Sequence, residues 1–179
     1  DGVMTTVWLR EVTEDFLAVW EENGAGKRHR YGCSGIDGLT FAPSFEGKGM
    51  RLLVAYGIYG DTTRTDNDHQ VLLSYRPEDL WAYETPGGAH THGPDACEER
   101  YFIYTGSTDY GIQNLEYAPY PGDIFAAVYQ GHKSQFPNYP LYVILGKQTP
   151  VHGVLPSTGE GVKFLKLKET GLQSGGIHG

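Results

Sequence analysis

Asp37, Gln113 and His178 each stand third in a Gly-Ile-X-X tetrad, after Gly35-Ile36, Gly111-Ile112 and Gly176-Ile177. An acid, an amide and an imidazole brought together can hold a metal-bound water or move protons to and from a bound substrate. Asp37 and His178 are therefore the candidate catalytic pair, with Gln113 as a substrate-binding residue. The three differ while the Gly and Ile before them repeat, whereas a purely structural position would tend to repeat with its turn. The plainer alternative is that they cap neighbouring turns or bind water.

Four other groups have chemistry in their spacing. In Gly87-Gly88-Ala89-His90-Thr91-His92-Gly93-Pro94-Asp95, His-X-His sets His90 and His92 on one side of an extended segment. With Asp95 they form a candidate site for a divalent metal ion, the one cofactor class the sequence points to. The stretch Asp61–Asp68 is rich in carboxylates but lacks the order of an EF-hand, and Asp and Asn in turns more often satisfy their own backbone. Arg28 and Arg30, with Lys27, precede the first tetrad and can take a carboxylate or other anionic group of a ligand. Tyr110, with Tyr104, Tyr120 and Tyr139, offers flat rings for the apolar face of a sugar. No nucleophile elbow, phosphate-binding glycine loop or His-Glu-X-X-His helix is present.

The elements that would position these residues come from an internal repeat. Gly35-Ile36-Asp37-Gly38-Leu39-Thr40-Phe41-Ala42-Pro43 matches Gly111-Ile112-Gln113-Asn114-Leu115-Glu116-Tyr117-Ala118-Pro119, 76 residues on. Ala55-Tyr56 then matches Val128-Tyr129, and a third copy opens at Gly176. Strands are expected near 39–42, 51–59, 69–75 and 100–105 in the first unit, and near 115–118, 124–129, 141–145 and 162–168 in the second. Before Gly35, strands are expected over 5–12, 16–21 and 27–32. Helical periodicity is weak, with a single turn expected at Glu78-Asp79-Leu80-Trp81.

Four antiparallel strands per unit predict an all-β protein, a β-propeller-like array of four-stranded blades that is incomplete in this chain. Residues 1–34 would form a partial blade, 35–110 and 111–175 whole blades, and 176–179 the start of another. The alternative is a β-sandwich with two related sheets. The pattern Gly-Ile-X-X-Leu-X-aromatic-X-Pro resembles the blade opening of NHL- and sialidase-like propeller proteins across residues 35–179. That resemblance implies that Asp37, Gln113 and His178 face the mouth of a central channel. The Asp-box turn of sialidases is absent, so no catalytic residue is carried over.

The chain carries a formal charge of −8 with no basic cluster beyond Lys27-Arg28-His29-Arg30, which disfavours nucleic acid and anionic membrane surfaces as partners. No window is apolar enough for a membrane-spanning helix. A start at Asp1 rather than Met is expected of a processed or excised piece, so the missing blades would be partners, supplied by further sequence, a second chain or other copies. Low Lys content and Tyr/Gly/Asn-rich turns suit a secreted or periplasmic protein. Cys33 and Cys97 are read as free thiols, or else as a disulfide. The functional expectation is a protein that binds or acts on a polar small molecule or glycan at the funnel, with hydrolysis among the options. A glycosidase needs two carboxyl groups, and only Asp37 is visible there. The alternatives are a non-catalytic glycan- or protein-binding module and an assembly module.

Overall fold

The computed structural model describes residues 5–22, 25–86, 92–136 and 139–169. The chain runs β1 (Thr5–Thr6), α1 (Arg10–Leu17), β2 (Val19–Glu22) and β3 (Ala25–Arg28) into β4 (Cys33–Pro43), β5 (Met50–Ile58) and β6 (His69–Tyr75). It continues through α2 (Pro77–Trp81), β7 (Thr85–Pro86) and β8 (Glu99–Tyr104) to β9 (Thr108–Ala118), β10 (Asp123–Gln130), β11 (Leu141–Ile144), β12 (Val151–Val154) and β13 (Gly161–Leu165). The fold is all-β in class, and none of its sheets closes into a barrel or propeller.

The first repeat unit forms an antiparallel meander in chain order, β4-β5-β6-β8, within a six-stranded sheet ordered β12-β13-β8-β6-β5-β4. The second unit supplies a three-stranded sheet, β11-β10-β9. Its expected fourth strand divides between the two sheets. β13 pairs in parallel with β8, and just beyond it Leu167 bridges Ile144 of β11. Apolar–polar alternation explains this split. Phe164 packs on the outer face of the large sheet, while Leu165 and Leu167 turn into the space between the sheets.

Two cores result. Leu53, Ala55, Leu72 and Ile103 of the large sheet meet Ile112, Leu115, Ile124 and Ile144 of the small one. On its other face the large sheet buries Tyr56, Val71, Leu73 and Phe102 beneath α1, α2 and the chain around Leu155. Covered on both sides, β6 is buried at all seven positions, with the apolar run Val71-Leu72-Leu73 at its centre and the buried polar residues His69, Gln70 and Ser74 flanking it.

The strand expected over residues 5–12 is instead a two-residue strand followed by a helix. Val12 and Phe16 pack into the outer core one turn apart, as do the buried carboxylates Glu11 and Asp15. Half of the buried face of α1 is acidic, so its helical periodicity is hidden from a hydropathy pattern. Tyr75 donates to Glu11 at 2.8 Å and Tyr56 donates to Asp15 at 2.7 Å, which replaces the water both acids lose. The strands expected over 16–21 and 27–32 shrink to the hairpin of β2 with β3, because Phe16 and Leu17 end α1 and Arg30–Gly32 form a 3-10 turn, while the turn expected near Glu78 is α2.

Candidate functional site: the paired bulges

The variable third position of the tetrad is a β-bulge. In β4–β5, Ile36 pairs with Tyr56 and Gly38 with Ala55, which leaves Asp37 as the extra residue. In β9–β10, Ile112 pairs with Val128 and Asn114 with Ala127, which leaves Gln113. A bulged residue is released from the ladder, so its identity is free to vary while its neighbours remain fixed by the core. The glycines of both tetrads are left-handed, at φ 123° for Gly35 and 74° for Gly111. A Cβ on Gly111 would also run into the Tyr56 carbonyl, because β9 crosses β5 at backbone contact there.

The two bulges meet. Gln113 Nε2 donates to Asp37 Oδ2 at 2.6 Å and to the Tyr110 carbonyl at 2.7 Å. Gln113 Oε1 and Asp37 Oδ1 receive no hydrogen bond from the described residues, so both remain available as acceptors. Tyr110 is itself left-handed, at φ 61°, an uncommon conformation for a residue with a side chain. Its ring meets Tyr129 edge-on at 5.5 Å, and each of the two rings is 59% exposed. Asp109, paired with Tyr129 in the ladder, holds His132 Nδ1 at 2.6 Å from Oδ2.

Tyr129, Asp109 and His132 are additions that sequence reasoning missed. The repeat aligns Tyr129 with Tyr56, but their environments have diverged. Tyr56 is buried under α1, whereas the outer face of the small sheet leaves Tyr129 in solvent.

The remaining expected site residues lie elsewhere. Arg30 pairs with Glu160 and Lys27 with Asp61, so neither is committed to Asp37. Arg28 is exposed on β3, and its carbonyl accepts from Arg64 at 2.6 Å. His92 packs edge-on against Tyr83 at 5.1 Å, and Asp95 pairs with Arg10 at 3.2 Å. His90 and His178 lie outside the described residues. Among those described, no group of three or more His, Cys, Asp or Glu is arranged to hold a metal ion.

The acidic turn Asp61–Asp68 is a structural hub. Asp66 grips Arg64 through two bonds of 2.7 Å, and Asp68 pairs with Lys133. Hydrogen bonds from Thr63 hold the Asp61 carboxyl below its ordinary pKa. Cys33 and Cys97 are not bonded to each other, and burial pushes their thiols up to about 11 and about 12. Comparison with family models, with curated proteins and with solved structures finds no match to this chain.

Proposed function

We infer that the protein binds a glycan across the paired bulges. The observation that carries this reading is the 2.6 Å hydrogen bond between Gln113 and Asp37, equivalent bulge residues of two repeat units, set beside the exposed Tyr110–Tyr129 pair. The amide and carboxylate fix one another, which leaves two preset acceptors for sugar hydroxyls, and the tyrosine rings offer an apolar face. Ligand-observed NMR with a panel of neutral cello-, xylo-, malto- and chito-oligosaccharides tests it. Tyr129→Ala and Tyr110→Asn, the latter chosen because Asn tolerates the left-handed backbone, are each expected to weaken binding about fivefold to tenfold. Gln113→Ala should do the same. If no member of the panel binds, or the three variants bind like the parent, the reading fails. Cleavage of a bound oligosaccharide that is lost in Asp37→Asn would make the site hydrolytic.

The two units are also read as adjacent blades of a larger propeller. The chain-order meander of the first unit and the meeting of equivalent bulges support this. Completing a ring then requires further β units from additional sequence, a second polypeptide or other copies of this chain. Light scattering distinguishes the last of these. A multiple of 19.8 kDa is expected for self-assembly, and a stable 19.8 kDa monomer rules it out.

A further inference from the structure

On the far side of the large sheet, where the bend before β4 meets β8 and the start of β13, lies an open pocket of about 360 Å³. The chain leading to it is strained. His29 and Tyr31 are left-handed at φ 64° and 57°, followed by Gly32 at 72°, a region that residues with side chains seldom adopt unless the surrounding structure holds them there. Arg64 holds the bend by donating to the Arg28 and His29 carbonyls at 2.6 and 2.7 Å.

The bend turns Tyr31 inward, edge-on to Phe102 at 5.1 Å and between two guanidinium groups, Arg30 at 5.1 Å and Arg100 at 5.8 Å. Its hydroxyl donates to Glu160 at 2.8 Å. Two of the three cations at or beside the pocket are already committed. Arg30 pairs with Glu160, and Lys163 lies between Glu46 at 2.9 Å and Glu99 at 2.7 Å.

Arg100 differs. One edge pairs with buried Asp15 at 3.1 Å, while its side chain remains 26% exposed at the pocket. Its remaining N–H groups meet no acceptor among the described residues.

We propose that this pocket binds a monosaccharide-sized polyhydroxy monocarboxylate, a sugar acid, whose carboxylate is gripped by the open edge of Arg100. A guanidinium fork matches a planar carboxylate through two parallel bonds. Glu99 and Glu160 at the rim accept from ligand hydroxyls and repel a doubly charged phosphate. The pocket volume suits a molecule of that size.

The probe is sodium D-glucuronate, with D-glucose and glucose 6-phosphate as controls, titrated calorimetrically against the whole chain. Glucuronate is expected to bind at least tenfold more tightly than either control. Arg100→Lys keeps a charge beside Asp15 but loses the fork, and should weaken glucuronate at least tenfold. Val162→Phe is a second variant, because Val162 lines the pocket and the register that pairs Phe164 with Phe102 sets it beside Arg100. The larger ring should weaken glucuronate at least tenfold by filling the pocket, with melting curves confirming that the variant folds, while Tyr110→Asn at the bulge face leaves glucuronate affinity unchanged. Equal binding of glucose 6-phosphate, absence of glucuronate binding, or parent-like binding by both pocket variants overturns the proposal. Loss of glucuronate binding in Tyr110→Asn alone also overturns it, because the acid would then sit at the bulges.

Discussion

Lys133→Met is expected to lower stability by about 3–5 kcal/mol, the usual cost of removing one partner of a buried charged cluster. The Lys133 side chain is only 1% exposed. Its ammonium donates to the Arg64 carbonyl, to Asn67 Oδ1 at 2.8 Å and to Asp68. Arg64 in turn grips Asp66 and holds the Arg28 and His29 carbonyls, so a single cation links the loop after β10, the acidic turn and the strained bend before β4. Met fills much of the same volume yet leaves three acceptors short of a donor in a place water reaches poorly. For a chain of this size the loss corresponds to a melting point lower by roughly 10 °C. Lys27→Met is the control, since its contact with Asp61 is 3.5 Å long and partly solvated, and it should change stability by less than about 1 kcal/mol. Urea titrations of both variants measure the contrast. Equal small losses would show that the hub carries little of the fold's stability.

Acid should unfold the protein in a window set largely by His69. This residue is buried between Tyr104 at 5.0 Å and Phe164 at 5.5 Å, and burial lowers its pKa from 6.5 to about 4. The folded state therefore favours the neutral ring. The stabilisation is complete above pH 6.5 and is lost as pH falls through 6.5 towards 4, because the unfolded chain takes up the proton first. The shift amounts to about 3 kcal/mol by pH 4. His69→Phe suits the aromatic surroundings and removes the proton uptake. Its stability should vary less than the parent's between pH 6.5 and 4 when both are followed by urea unfolding at several pH values. Parallel curves would mean that His69 is not the group responsible. Asp15 acts in the opposite sense, since burial raises its pKa and its contribution fades as pH rises through the folded value.

Much of the fold was legible in the sequence because strands of this type write their burial into their order of residues. β6 and β10 are apolar where the cores need them to be, and the tetrads mark equivalent points in both units. The helix α1 was not legible, because its inward face carries Glu11 and Asp15, whose partners Tyr75, Tyr56 and Arg100 come from distant strands. The split of the 162–168 segment between two sheets was hidden for a related reason: alternation gives the faces of a strand but does not name its neighbours.

The sequence by itself determined the all-β class, the two related units and the place in each where a polar residue escapes the ladder. Those follow from local rules, namely alternation, turn glycines and repetition. Only the tertiary structure decided that Asp37 and Gln113 share a hydrogen bond, that Tyr129 joins them at the surface, and that Arg30 turns instead to Glu160 beside Arg100. Contacts between residues 76 or 130 positions apart depend on how sheets pack, which no local pattern encodes.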